Sequence, residues 1–368
     1  LTWETVITKN IGLDLGFLNN RLNVSFDAYI RDTKDMLMAG KTLPGVYGAS
    51  SPRMNVADLR TKGWEASVTW GDSFTLASKP FNYRIMAGIG DNTSKVTKYD
   101  NPNRTLTDPY EGQQLGEIWG YVVDGYFKTD EEARNYKVDQ SFVNQMINAS
   151  ALDNGLHAGD LKFVDLDGNN KIEQTTSAND RKDMKVIGNS LPRYNYNFGI
   201  SADWYGIDFS VLFQGIGKQN WYPGAETSMF WGPYSRPYAS FIPSDFMSQV
   251  WSEENTNAYF PRPRGYVALG SNRELAVVNT KYLQNLAYCR LKNLSIGYTL
   301  PDKWLSKIGF EKIRVYFSGE NLLTFTKLHS DYIDPEQASA SNSWKTSKSD
   351  ANIYPWAKTY SFGVDITF

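Results

Sequence analysis

The chain has 368 residues, with 38 Lys and Arg against 40 Asp and Glu and a formal net charge of −2, so nothing in its charge asks for a nucleic-acid partner. One cysteine, Cys289, excludes an internal disulfide framework and a cysteine-based zinc site, and the two histidines, His157 and His329, are too few and too far apart for a histidine-rich metal centre. No run of about eighteen apolar residues is present, which excludes a transmembrane helix and leaves strands untouched.

The chain starts at Leu1 rather than Met and carries no signal peptide, which points to a processed or truncated start. From there the dominant signal is alternation with period two. A strand near 4–17 is followed by one near 21–32, where Leu22, Val24, Phe26, Ala28 and Ile30 alternate with Asn23, Ser25, Asp27, Tyr29 and Arg31. A third, near 62–72, sets Trp64, Ala66, Val68 and Trp70 against Glu65, Ser67 and Thr69, and a fourth covers 80–96. The fifth, near 193–204, alternates Tyr196, Phe198, Ile200, Ala202 and Trp204 with small or polar residues; strands near 207–216, 286–299 and 311–326 follow. The ninth, near 356–368, places Tyr360, Phe362, Val364, Ile366 and Phe368 on one face. Such alternation makes strands with one apolar and one polar face. Several exceed the roughly five to six residues usual in soluble sheets and match the roughly nine to eleven that cross a bilayer at a tilt.

Short connections (18–20, 71–80, 205–206 and 300–309) alternate with long ones of about 33–61, 97–192, 217–285 and 327–355. This is the pattern of an all-β transmembrane antiparallel barrel, with short periplasmic turns and long extracellular loops. The mean hydropathy of −0.47 is too polar for a helical membrane protein but suits such a barrel, whose strands alternate lipid-facing and lumen-facing residues. Aromatics make up 14% of the chain, and Phe17, Trp64, Trp70, Phe81, Trp204, Tyr298 and Phe368 fall near strand ends, where interfacial girdles lie. A soluble β-sandwich explains the strands and the residue types, but not long loops gathered at one end. An odd count of nine cannot close a bacterial single-chain barrel, so the chain reads as the C-terminal part of a larger one, paired with an N-terminal part that supplies the missing strands.

Within the long connections, "DLDGNNKIE" at 165–173 has the oxygen pattern of a calcium loop. Asp165, Asp167 and Asn169 take ligand positions 1, 3 and 5, Lys171 offers its carbonyl at 7, Ile172 sits at the apolar anchor, and Glu173 reaches the ion directly or through water. Position 6 is Asn170 rather than Gly, and position 12 is Thr176 rather than Glu; Asp180 closes the site if the residues between bulge. Calcium is therefore the one candidate cofactor, and a metal-free turn rich in Asp and Asn is the alternative. Either way the loop is a structural tie, because a sensor needs flanking helices that open. The segment 220–241 is rich in aromatics, and Trp221, Tyr222, Trp231, Tyr234 and Tyr238 are candidates to stack on sugar rings or peptide side chains, with Arg236 meeting carboxylates. The competing reading packs these aromatics inside the loop or against a partner. "GEIWGYVVDGYF" at 116–127 reads as a strand or turn with no evident chemistry. Asp331, Asp334 and Glu336 can be imagined as glycosidase carboxylates, but a solvated loop explains them better, and no nucleophile motif or phosphate loop is present, so no enzyme is expected.

The stretches "NIGLDLGFLNNRLNVSFDAYIRDTKDML", "NVADLRTKGWEASVTW", "GDLKFVDLDGNNKI", "LAYCRLKNLSIGYTLP", "IRVYFSGENLLTFTK" and "TYSFGVDITF" resemble, in order, the C-terminal half of SusC-like and RagA-like TonB-dependent outer-membrane transporters. The resemblance implies a 22-stranded barrel in the outer membrane of a Gram-negative bacterium, with a plug that is absent from this chain. It further implies import of oligosaccharides or peptides, energised by TonB through that plug and capped by a SusD-like surface lipoprotein. Tyr360, Phe362, Val364, Ile366 and Phe368 resemble the terminal signal read by the barrel-assembly machinery; physically they make a lipid-facing last strand. Two other readings stay open: another outer-membrane barrel, such as a siderophore receptor or porin, and a secreted calcium-tied β-sandwich that binds glycans.

Overall fold

The computed structural model describes residues 1–40, 45–48, 52–143, 155–235, 241–263, 265–305, 309–338, 348–349 and 354–368. Nine antiparallel strands form one sheet in which chain neighbours are sheet neighbours. They are β1 (Thr5–Phe17), β2 (Leu22–Ala39), β3 (Arg53–Leu76), β4 (Lys79–Lys98), β5 (Arg193–Trp204), β6 (Ile207–Lys218), β7 (Tyr288–Thr299), β8 (Lys312–Thr326) and β9 (Thr359–Thr367). Because the order is a plain meander, all four long connections leave the same end of the sheet. The sheet is open, with β1 and β9 at its edges.

Two strands run well past their alternating cores. β2 continues to Ala39 and β3 begins at Arg53, so the connection expected at about 33–61 shrinks to 40–52. Backbone pairing carries the ladder through Met36, Leu37 and Met38 across register shifts, where the side-chain alternation that marked the rest is lost. The turn expected over 71–80 shrinks likewise to Ala77-Ser78, with φ of 48° and 61°, and Tyr205-Gly206 turns at 51° and 84°. Positive φ at both central residues is the hairpin geometry that matches the right-handed twist of the strands. Without glycine, Ala77 and Ser78 adopt it at a cost of about 1–2 kcal/mol each, offset by the long ladder on either side.

The registers align the apolar residues into rows that cross the sheet. Phe17, Leu22, Trp70 and Ile85 form one row, Leu15, Val24, Val68 and Ala87 the next, and Leu13, Phe26, Ala66 and Ile89 the third. Leu13, Leu15, Phe17, Phe26, Val68, Ile85, Ile89, Phe198, Ile200, Ile296, Val315 and Phe362 are exposed. A sandwich would cover this face with a second sheet; none lies on it among the described residues. Towards the short turns the band ends in aromatics: Phe74 and Phe81 stand 5.0 Å apart, and Trp70 Nε1 donates to Tyr83 Oη at 2.9 Å. The opposite face is polar and concave, with a concavity of about 370 Å³ lined by Ser25, Asp27, Tyr29, Glu65, Asn195 and Asn197.

The hydrophobic core is not in the sheet. It lies in the long connections, where the described residues of 99–192, 219–287 and 327–358 pack together into one cap. Tyr121, Leu161, Phe163 and Ile172 from the first segment meet Trp221, Trp231, Phe260, Leu275 and Tyr282 from the second and Leu328 and Ile333 from the third. Each large apolar side chain so buried contributes about 1.5–3 kcal/mol, so three segments that lack cores of their own stabilise one another.

Candidate functional site

The calcium-type loop has the backbone of its sequence signature. Asp165 accepts through Oδ1 from the Gly168 N–H and through Oδ2 from the Asn170 N–H, both at 2.7 Å. Asp167 Oδ1 accepts from the Asn169 N–H at 3.1 Å, and Asn169 Oδ1 from the Lys171 N–H at 2.8 Å. Gly168 and Asn170 have φ of 78° and 62°, a left-handed turn that Asn tolerates because its short side chain bonds locally. Ile172 is fully buried in the cap core, and its N–H donates to the Asp139 carbonyl at 2.8 Å while the Asp139 N–H donates to the Asn170 carbonyl at 2.9 Å. The strand Leu161–Phe163 enters the loop where a helix would stand in a sensor.

The acid that converges on Asp165 and Asp167 is Asp183 and not Asp180. Carboxylate oxygens of Asp165, Asp167 and Asp183 lie within 4.8 Å of one another. Asp180 is held away by a tight turn on Ser177, after which the chain folds back into the strand Met184–Asn189 and carries Asp183 under the loop. Asp183 is completely buried and accepts the Leu166 N–H at 2.8 Å and the Glu173 N–H at 2.7 Å. Burial pushes its carboxyl up, the backbone donors oppose this, and the charges of Asp167 and Asp165 push it further up. Glu173 faces cations instead, with Lys182 Nζ at 3.2 Å and Lys171 Nζ at 3.8 Å. Three converging carboxylates make an all-oxygen donor set that suits a hard cation such as calcium, with Asp183 replacing Asp180 and Glu173 in that set.

Four of the five aromatic candidates are not a binding surface. Trp221, Tyr222, Trp231 and Tyr234 are at most 1% exposed, and the polar ends of the last three are satisfied internally. Trp231 Nε1 donates to the Gly224 carbonyl at 3.0 Å, Tyr222 Oη to Leu275 at 2.8 Å and Tyr234 Oη to Pro261 at 2.5 Å. The Trp231 ring stands edge-on to Phe230 at 4.7 Å and to Tyr282 at 5.2 Å. They hold the cap together, because an aromatic run in a long segment has an apolar payload that burial rewards more than solvent does. Arg236 and Tyr238 lie outside the described residues. The exposed aromatics are others: Phe241 packs edge-on to Tyr332 at 4.7 Å beside a cleft lined by Phe230, Phe246, Phe260, His329, Asp245 and Asp331. Nothing in the local sequence joins residues so far apart as 241 and 332.

His329 lies flat on Tyr259 at 3.5 Å with Nε2 2.7 Å from Gln249 Oε1. Burial pushes its pKa down, so the folded cap takes up this proton at lower pH than the unfolded chain, which protonates near 6.5. The unfolded state therefore binds the extra proton first, and the stability this residue lends is present above pH 6.5 and lost as pH falls below it. The cap is expected to melt at lower temperature at pH 5 than at pH 7.5, and His329→Gln to shrink that difference; an unchanged pH dependence in the variant would exclude His329 as its source.

Two further groups shape the site. "GEIWGY" is the seam between cap segments: the strand Glu117–Tyr121 pairs with Met184–Asn189, while the Tyr121 N–H donates to the Val278 carbonyl at 2.9 Å. A Cβ on Gly120 would stand 2.7 Å from that same carbonyl, so only glycine admits the close approach. Of the imagined catalytic carboxylates, Asp331 is exposed, as a solvated loop requires, whereas Asp334 and Glu336 are structural. Arg290, 2% exposed, donates to Asp334 Oδ1 and to Glu336 Oε2, each at 2.6 Å, and Lys292 Nζ donates to both Glu336 oxygens at 2.8 Å. This pins the third cap segment onto β7. On β9, Tyr360, Phe362, Val364, Ile366 and Phe368 are all exposed on one face, and Phe362 packs on Phe317 of β8 at 5.2 Å.

Comparison with known proteins agrees with this geometry. The family model "TonB dependent receptor-like, beta-barrel" matches residues 1–322. TonB-dependent receptor P3 of Formosa agariphila is 28% identical over 387 residues, covering 100% of this chain and 34% of that protein. TonB-dependent receptor SusC of Bacteroides thetaiotaomicron is 24% identical, covering 100% of this chain and 32% of its own length. The chain thus spans about a third of the curated relatives it matches. The solved RagAB peptide transporter superposes with a TM-score of 0.69 at 22% identity, over 100% of this chain and 35% of that one. These relatives are receptors and transporters rather than enzymes.

Proposed function

The chain belongs to the TonB-dependent receptor β-barrel family, and from that premise we propose that it is the C-terminal part of an outer-membrane importer of oligosaccharides or peptides, energised through TonB and lidded by a SusD-like lipoprotein. The observation that carries this reading is the cap. One folded unit with a buried aromatic core stands on the long-loop end of a sheet whose outer face is apolar and exposed, and a passive pore needs no such body. The RagAB neighbours, described as a peptide importer, favour peptides. The open edges at β1 and β9 call for partner strands, since unpaired backbone groups cost several kcal/mol each in lipid. On the concave face Asp27 stands directly opposite Glu65, a like-charge pair that a cationic segment inside the barrel would relieve. The test is mass spectrometry of ligand co-purified with the full-length protein from native membranes, with uptake of that ligand measured with and without TonB. Uptake that persists without TonB would sink the proposal.

Calcium at Asp165, Asp167 and Asp183 is proposed as a tie that stiffens the first cap segment. Titration calorimetry on chelated full-length protein should show calcium binding that weakens about tenfold or more in Asp183→Asn, since ligand charge sets affinity in such loops. Absence of heat at millimolar calcium would leave the loop as a metal-free turn.

A further inference from the structure

Above the apolar rows of β1 to β4 the outward face changes character within two residue steps. The next row is Ile11, Ala28, Trp64 and Asp91, with Asp91 engaged by a bidentate Arg193. Then come Lys9, Ile30, Lys62 and Thr93, and after them Ile7, Asp32, Arg60 and Lys95. These two rows hold four cations and one carboxylate, and that carboxylate is already taken: Arg60 Nε and Nη2 donate to Asp32 at 2.6 and 3.0 Å. Lys34, one step further, and Lys9 act electrostatically on the same group. Lys9, Lys62 and Lys95 have no ion-pair partner among the described residues, and Ile30 between Lys9 and Lys62 is 38% exposed.

Position narrows what such a patch can meet. Rows on one face are about 7 Å apart along the strands, so the cations, two and three rows on, stand about 14–20 Å along the strands beyond the last wholly apolar row of Leu13, Phe26, Ala66 and Ile89, at headgroup height once the strands tilt.

We propose that this face is a docking site for the phosphorylated headgroup of an outer-leaflet glycolipid, with a phosphate seated over Ile30 between Lys9 and Lys62, which lie about 10 Å apart across two strand spacings, and Lys95 beside them. Sugar and acyl carbons continue down over Ile30 and Trp64. A partner protein is the weaker fit, because the patch is continuous with the lipid-facing rows. The inference rests on the barrel reading, and its test separates the two. Full-length protein in phosphatidylcholine nanodiscs is given bis-phosphorylated lipid A or its dephosphorylated form, and bound lipid is counted by native mass spectrometry. Lys9→Gln/Lys62→Gln/Lys95→Gln is expected to lower retention of the phosphorylated form on the order of tenfold or more, since each lysine near an anionic surface adds to the attraction. The Arg triple variant should retain it, the dephosphorylated form should bind both proteins alike, and millimolar inorganic phosphate should not displace the lipid. Equal retention by wild type and the Gln variant, or displacement by inorganic phosphate, overturns the proposal. Loss of heat-modifiable gel migration in the wild type would strike the barrel reading instead.

Discussion

Trp231→Ala is expected to unfold the cap while leaving the nine-stranded sheet intact, at a cost of about 3–5 kcal/mol. Trp231 is fully buried, touches Tyr222, Phe230, Phe260 and Tyr282, and spends its Nε1 proton on the Gly224 carbonyl. Truncation leaves a cavity walled by rigid rings, which cannot collapse as a Leu-lined site can, and an orphaned carbonyl. Because Trp231 belongs to the core that the three cap segments share, the loss falls on that core. The sheet takes its stability from its own ladders. Limited proteolysis of the full-length protein in detergent should show new cuts within 99–192 and 219–287, with heat-modifiable migration unchanged. If the cap stayed protease-resistant, the three segments would not form one cooperative unit.

Arg290→Met should be nearly as costly, about 3–5 kcal/mol, but for an electrostatic reason. Asp334 and Glu336 would remain, the first of them buried and without its guanidinium, and an uncompensated buried charge is far worse than no charge. Lys292 reaches only Glu336. The triple variant Arg290→Met/Asp334→Asn/Glu336→Gln should therefore recover much of the loss, which a purely steric role for Arg290 would not allow. Thermal melts of wild type, single and triple variants decide the point. The same comparison tests whether the third segment is pinned to β7 by this cluster.

How much of this was legible depends on how far apart the interacting residues lie. The strand cores were readable because alternation is local: Leu22 to Ile30 or Tyr360 to Phe368 declares two faces without reference to anything else. Strand ends were not, since β2 beyond Ile30 and β3 before Trp64 persist by backbone pairing, which has no side-chain signature. The left-handed Asn170 and the buried Ile172 were implied by the spacing of the calcium-type loop. Its closing acid was not, because Asp180 and Asp183 differ only in where a tight turn delivers them.

The aromatic segment marks the limit most plainly. Trp221, Tyr222, Trp231 and Tyr234 have the same composition whether they face a ligand or a core, and the choice depends on contacts with Phe260, Leu275 and Tyr282, which are distant in sequence. The sequence by itself determined a long-stranded antiparallel sheet, its apolar and polar faces, and the end from which the long connections leave. These follow from the two-residue period of a strand and from hydrophobicity. Only the tertiary structure decided that three connections share one core, that Asp334 and Glu336 answer Arg290, and that Asp183 faces Asp165 and Asp167. Burial and charge pairing are properties of neighbours in space, and a meander with long excursions brings together neighbours that no local pattern records.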